Sequence, residues 1–293
     1  PKPQNPKCLR FIIKDKMISN LLLVCSFLLS LVSAGTFVQP KSQNKTLVLV
    51  DTWATLETHS IFFDHVRSMG AGNHTLEFKL ISGNPVDTVG IQQFNKYFYD
   101  NIILMAPTVK SFGSDVKVKE LLEFVDFHHN IMLFVNNESR KTVRELANEF
   151  GVDFEDYGYT MHGGSAPAGT TQGAFKMKNV SWSKSMFEPL VGEKKVFTAL
   201  DRPVLFEDGV GALLDSETNN RHVFPILRAD QGAYSYNPDA PERKETGIVS
   251  GNQLTLVSGY QTKYNQRIVI SGSTKMCGND AMLANRDPAK DGS

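Results

Sequence analysis

The sequence is short of most features that mark a familiar reaction centre. Cysteine is scarce, with three in 293 residues: Cys8, Cys25 and Cys277. A framework of disulfides is therefore excluded, and a chain of this length does not need one to build a core. No Gly-x-Gly-x-x-Gly follows the first apolar strand, so the dinucleotide cradle is missing. Gly164 and Gly169 have the Walker separation, but Thr170-Thr171 stands where Lys-Ser/Thr is required. Without Gly-x-Ser-x-Gly there is no hydrolase elbow. Without His-Glu-x-x-His, or any two aspartates separated by one residue, two common metal signatures are missing. His128 and His129 are adjacent, so on a helix end they diverge by about 100° and cannot easily chelate one ion. Excess charge of one sign is absent too: Lys plus Arg and Asp plus Glu are 31 each. With no basic stripe there is no footprint for nucleic acid.

What is present begins with a secretory pattern. Leu21–Val32 is a 12-residue apolar run followed by Ser33 and Ala34. It is too short to span a bilayer comfortably, and small or short residues at Val32 and Ala34 set a cleavage site before Gly35. Met17 is the expected initiator, with residues 1–16 as upstream leader and 17–34 as signal peptide. Past Ala34 the chain holds 26 basic and 30 acidic residues, and only Cys277 remains. Four Asn-x-Ser/Thr sequons, at Asn44, Asn73, Asn137 and Asn179, fit a lumenal chain. Apart from the signal, no apolar run approaches the ~18 residues of a membrane span.

Hydrophobic content of 41% and charged content of 21% belong to an ordinary globular chain. The first part of it alternates between strand and helix. Thr46–Asp51 (TLVLVD), Asn101–Ala106 (NIILMA) and Ile131–Val135 (IMLFV) are short continuous apolar runs, the mark of strands buried on both faces. His74–Leu80 alternates as a further strand. Helices are expected from a Thr55 cap through Phe62, Val66 and Met69 to Gly70. Another should run from Ser114 or Asp115 through Val118, Leu121, Leu122 and Val125, and a third over Ser139–Phe150. Such alternation predicts a parallel sheet with helices on both sides. After Asp156 the pattern changes. Residues 162–173 form a Gly/Ala/Thr loop, and short strand-like runs follow at 196–200, 204–206, 211–214, 222–227, 253–257 and 267–271. The last of these, RIVISGS (267–273), is apolar enough to return to the first sheet.

In open α/β sheets, ligands bind beyond the carboxyl ends of the strands. Asp51 occupies such an end, and Glu57, Thr58, His59 and Ser60 follow it. One reading makes Asp51 or His59 an acid–base group. The other makes Asp51 a turn residue and His59 a first-turn helix residue satisfied by a neighbour, since nothing else in the sequence completes a site. A catalytic role for Cys277 finds no histidine arranged nearby, and Tyr97, Phe98 and Tyr99 precede a buried strand, where aromatics are usually core.

Five stretches in order carry a resemblance: TLVLVDTWATLETHSIFF (46–63), FYDNIILMAPTVKSFG (98–113), NIMLFV (130–135), VLFEDGVGALL (204–214) and RIVISGS (267–273). Over roughly 46 to 275 the chain resembles the family of the non-catalytic 48 kDa subunit of the oligosaccharyltransferase complex of the endoplasmic reticulum. The most specific piece is Asp51 followed by Glu57-Thr58-His59-Ser60 and Phe62-Phe63. The resemblance implies a class I glutamine-amidotransferase-like α/β domain over 35–275, β-rich from about 174, then an irregular tail over 276–293. A β-domain, a C-terminal membrane helix and a short cytosolic tail are expected beyond it. It implies no cofactor and no catalytic residue in this subunit. The glycan would move from dolichyl diphosphate to Asn of Asn-x-Ser/Thr on a separate catalytic subunit, with ribophorin-type and small membrane subunits as further partners. Asp51, Glu57, Thr58, His59 and Ser60 would then be structural. Two departures stand out. Asp126–Asn130 (DFHHN) replaces the family's Gly-rich turn, and TKMCGNDAM (274–282) replaces an aromatic segment. Two other functions fit the same pattern: a secreted hydrolase on an amidotransferase-like fold, and a lumenal glycan-binding module.

Overall fold

The structure, a computed structural model, describes residues 45–68, 74–82, 88–94, 96–113, 116–163, 173–176, 203–215, 222–237, 239 and 250–284. The signal segment with Ala34 and Gly35, the sequons at Asn44, Asn73 and Asn179, the run 196–200 and most of the Gly-rich loop lie outside them.

Strands β1 (Lys45–Val50), β2 (Thr75–Leu80), β3 (Asn101–Met105) and β4 (Asn130–Phe134) are where continuous apolar runs or alternation predict them. Between them lie helices α1 (Ala54–Thr58), α2 (Ser60–Ser68) and α3 (Val118–Asp126); α4 (Lys141–Glu149) follows β4. Then come β5 (Val152–Phe154), β6 (Thr160–His162), β7 (Gly173–Lys176), β8 (Pro203–Phe206), β9 (Ala212–Leu214), β10 (Val223–Arg228) and β11 (Tyr234–Tyr236). The described chain closes with β12 (Thr255–Gln261), β13 (Arg267–Ser271) and α5 (Asn279–Ala284).

The main sheet runs β2-β1-β3-β4-β13-β12-β9-β5, with β10 also paired to β12. The first five strands are parallel, and from β12 onward every pairing is antiparallel. This is an α/β fold with a β-rich second half, as expected. RIVISGS does return to the first sheet: β13 lies beside β4, with Ile268 opposite Ile131 and Ser271 opposite Phe134.

The continuous apolar runs have a direct cause. Strand side chains alternate between faces, and both faces of this sheet are covered. Val48 and Val50 of β1, Ile103 of β3 and Phe134 of β4 pack with Phe62, Phe63 and Val66 of α2. Leu47, Leu49, Ile102 and Leu133 pack on the other side with Leu121 and Phe124 of α3 and Val143 and Leu146 of α4. Leu47 through Val50 have no exposed surface, so each contributes about 1.5–3 kcal/mol of burial. Phe62 meets Phe134 edge-on at 6.0 Å, and Phe63 meets Phe78 at 5.0 Å, which fixes α2 on its face.

Local details differ from expectation. The first helix starts after Trp53, and Thr55, the expected cap, lies inside it and is buried. That helix also breaks at His59, where φ is −123°, so α1 and α2 are separate. The expected end at Met69-Gly70, and the caps Ser114 and Asp115, lie outside the described residues. At the observed start of α3, the Lys117 N–H donates to the Glu120 carboxylate (2.9 Å). In the DFHHN turn, His128 takes φ +74°, a left-handed conformation that glycine adopts without cost. Its neighbour His129 stacks on Phe124 at 4.5 Å, so the bulkier turn is anchored to the core by a ring. The stretch from 276, expected to be irregular, contains α5 and a fully buried Cys277.

Candidate functional site

The parallel strands all end on one edge. β1 leads into Asp51, β3 into Pro107 and Thr108, β4 into Asn136–Ser139, and β13 into Gly272–Thr274. β2 lies on one side of β1 and β3 on the other, so the connections reverse direction there. This is the topological switch point at which open α/β sheets form a crevice.

Asp51 spans that point. Its Oδ2 accepts from the Thr108 hydroxyl (2.8 Å) and from the Thr108 N–H (3.4 Å). The carboxylate thereby clips the end of β1 to the end of β3.

His59 sits at the break between the two helices, with 8% of its surface exposed. Its Nε2 lies 3.1 Å from the Thr274 carbonyl, which can only accept, so Nε2 carries the proton. Nδ1 lies 2.9 Å from the Thr58 hydroxyl and 3.2 Å from the Thr55 carbonyl. Burial pushes the His59 pKa below its usual value. The bonds to Thr274 and Thr55 and the Asp51 charge oppose that shift without reversing it. The imidazole is thus neutral, with both nitrogens engaged.

A helix break leaves backbone groups without intrahelical partners. Here Asn279, the first residue of α5, supplies them. Its Oδ1 accepts from the Ile61 N–H (3.0 Å), and its Nδ2 donates to the Glu57 carbonyl (2.7 Å) and the Ser60 hydroxyl (3.0 Å). The Glu57 side chain itself is exposed. Beside this knot, Lys275 pairs with Glu207 (3.0 Å) and Asp208 (2.5 Å). Asp208 above all, then Glu207, raises the lysine pKa.

The structure therefore brings together Asp51 with Thr108, and Glu57, Thr58, His59 and Ser60 with Thr274 and Asn279. Thr108, Thr274 and Asn279 escape sequence reasoning, because their partners lie far away in the chain and no local pattern marks them. Among the described residues, no three His, Cys, Asp or Glu side chains are grouped to hold a metal ion. Among the same residues, no helix is long and apolar enough to cross a membrane.

Of the four sequons, Asn137 is described. It is half-buried on the loop after β4, its N–H 3.4 Å from the Asp208 carbonyl and its carbonyl accepting from Gly158 N–H (2.8 Å). The sequon's Ser139 is buried, and its hydroxyl donates to Asn136 Oδ1 (3.1 Å).

Fold and edge together define an α/β protein whose motif side chains are engaged in joining strand ends and helix ends. Comparison with known proteins makes the assignment specific. The chain belongs to the family described as "OST48, N-terminal domain", whose model matches residues 38–291. The match extends past residue 275, so TKMCGNDAM lies inside the family's domain. The chain is 33% identical over 233 residues to the dolichyl-diphosphooligosaccharide–protein glycosyltransferase 48 kDa subunit of Drosophila melanogaster, covering 78% of this chain and 49% of that one. It is 31% identical to the Arabidopsis thaliana subunit, covering 87% of this chain and 55% of the relative. With the Danio rerio subunit identity is 30%, covering 84% and 53%. The chain thus spans about half the length of the curated relatives it matches. Among solved structures, a ThuA-like protein from Parabacteroides merdae matches with a TM-score of 0.40 at 15% identity, covering 82% of this chain and 84% of that one. The carbohydrate deacetylase Agd3 matches with a TM-score of 0.37 at 14% identity, covering 78% and 29%.

Proposed function

We propose that this chain is the N-terminal, lumenal part of a non-catalytic subunit of the oligosaccharyltransferase complex in the endoplasmic reticulum membrane. It supports transfer of a preassembled glycan from dolichyl diphosphate to Asn of Asn-x-Ser/Thr, while a separate subunit performs the chemistry. Ribophorin-type and small membrane subunits are its further partners. The observation that carries this reading is the family match over 38–291. The geometry of the motif supports a positioning role. Asp51 accepts two bonds from Thr108, His59 uses both nitrogens, and Ser60 accepts from Asn279. These groups tie three distant segments at the carboxyl edge of the sheet, which suits a rigid framework held against other subunits. Residues 35–275, with the helix that follows, form the unit proposed to be presented in this way.

The reading is tested by tagging the full-length product and purifying it from detergent-solubilised endoplasmic reticulum membranes. Transfer of glycan to an Asn-x-Thr peptide should co-purify with the tag. Recovery of the tagged protein in good yield with no transfer activity would contradict the assignment.

A further inference from the structure

A second feature of the same sheet edge lies away from the Asp51–His59 knot. Beyond the end of β4, an open cleft of about 410 Å³ is lined by Asn137, Glu138, Tyr157, His162, Tyr236 and Asn237, with Gly158, Thr160 and Asp239 completing it. Its volume falls in the range of small-ligand sites, ~300–1,000 Å³.

Its wall is a two-stranded ribbon. β6 and β11 pair antiparallel, with Tyr234 opposite His162 and Tyr236 opposite Thr160. The alternate residues Met161 and Ser235 are buried, so the period of two leaves Tyr234 and Tyr236 facing outward. His162 stacks on Tyr234 at 5.5 Å and 17°, and meets Tyr236 edge-on at 6.0 Å. Thr160 is buried; its hydroxyl donates to the Tyr236 carbonyl (3.3 Å) and lies 2.8 Å from His162 Nε2, which holds that ring in place. Tyr157 and Tyr236 remain about half exposed, at 53% and 50%. Opposite them, Asn237 is fixed by its own bonds: Nδ2 to the Tyr157 carbonyl (3.3 Å), and Oδ1 from the Asp239 N–H (3.0 Å). Gly158 has φ +85°, and a Cβ there would lie 2.8 Å from Asn237 Nδ2, so a side chain at this position would be strained and would displace the Asn237 amide.

The chemistry is specific in kind. Rigid, exposed tyrosine rings bind flat apolar faces, and amides and carboxylates around them accept and donate to hydroxyls. A pyranose ring offers both: a C–H face and a rim of hydroxyls. Glu138 and Asp239 among the lining side chains disfavour an anionic ligand, while Arg140 lies outside the cleft over the Tyr157 ring at 5.2 Å. We infer that this cleft binds a neutral oligosaccharide, with Tyr157 and Tyr236 as the stacking platforms and Asn137 and Asn237 as the polar contacts. The site goes beyond the scaffold role and holds whether or not the chain assembles into a complex.

The test uses the full 293-residue chain made without N-glycans. It is titrated with chitotriose, mannotriose and maltotriose, with binding followed by calorimetry and saturation-transfer NMR. Saturable binding of at least one is expected, with Kd about millimolar or tighter. Tyr157→Ala and Tyr236→Ala should each weaken it about tenfold, Tyr236→Phe should keep it within about twofold, and Tyr264→Ala, distant from the cleft, should leave it unchanged. Thermal melts of all five variants, the Tyr157→Ala/Tyr236→Ala double variant included, establish that they fold. No saturable binding by any of the three sugars, or binding that survives the Tyr157→Ala/Tyr236→Ala double variant, would overturn the inference.

Discussion

At the scale of single residues, the carboxyl edge is built from close approaches with little tolerance. Gly272 donates its N–H to the Leu256 carbonyl (2.9 Å) and accepts from Val210 N–H (2.8 Å). A Cβ there would lie 2.1 Å from the Val210 carbonyl oxygen, which is backbone and cannot swing away. Gly272→Ala should therefore cost about 2–3 kcal/mol in urea unfolding, and a loss under ~0.5 kcal/mol would show that the edge yields easily. The opposite case is Phe94, which has φ +50° and is 94% exposed. A left-handed conformation costs an L-residue ~1–2 kcal/mol, and glycine's extra entropy gives back ~0.5–1. Phe94→Gly is thus expected to raise the unfolding free energy by roughly 0.5–1 kcal/mol. A fall in the melting temperature would mean the ring makes contacts that its exposure hides. Neither residue stands out in the sequence, because Gly272 depends on Val210 and Phe94 on the turn geometry, both of which are set by the folded chain.

At the scale of elements, legibility followed burial. β1, β3, β4 and β13 are apolar on both faces because helices or loops cover both, so the sequence prints them as continuous runs. β5, β6 and β11 have three residues each, and β5 and β11 only alternate burial, so no apolar run marks them. α1 and α2 read as one helix because their apolar spacing is continuous. What separates them is His59 bonded to Thr274, 215 positions away, and Asn279 filling the gap. The same distance explains why Asp51 and His59 could be placed at a strand end while their partners could not be named. Asn279→Ala removes three bonds between α5 and the helix break. At about 0.5–1 kcal/mol net for each of these exposed or partly exposed bonds, it should lower stability by roughly 2 kcal/mol. Amide exchange should also speed up first at Ile61. Wild-type exchange rates at Ile61 in the variant would show that the break is held by something else.

At the scale of the whole molecule, the buried His59 and three half-buried histidines contribute to the response to acid. Burial lowers the pKa of His59, His74, His129 and His162 below the ordinary 6.5. Above that value both folded and unfolded states hold these rings neutral, and stability is independent of their titration. As pH falls below 6.5 the unfolded chain takes up protons before the folded one, so stability declines towards the lowered pKa values. The Glu77 carboxyl, held below its usual range chiefly by its bond to Lys45, adds a further loss below about pH 4.5. The urea midpoint should therefore be lower at pH 5.5 than at pH 7.5, and the gap should narrow in His59→Gln. Equal midpoints at the two pH values would remove the neutral, buried His59 from the account.

The central claim is that the Asp51–His59 cluster positions the chain and leaves bond-making to another subunit. The most direct measurement replaces the natural subunit with an Asp51→Asn/His59→Gln variant, purifies the assembled complex, and measures glycan transfer to an Asn-x-Thr peptide per mole of complex. Turnover within about twofold of wild type is predicted, with any loss appearing in the yield of assembled complex. A complex assembled in normal yield whose turnover falls a hundredfold, about 2.7 kcal/mol of lost transition-state stabilisation, would contradict it.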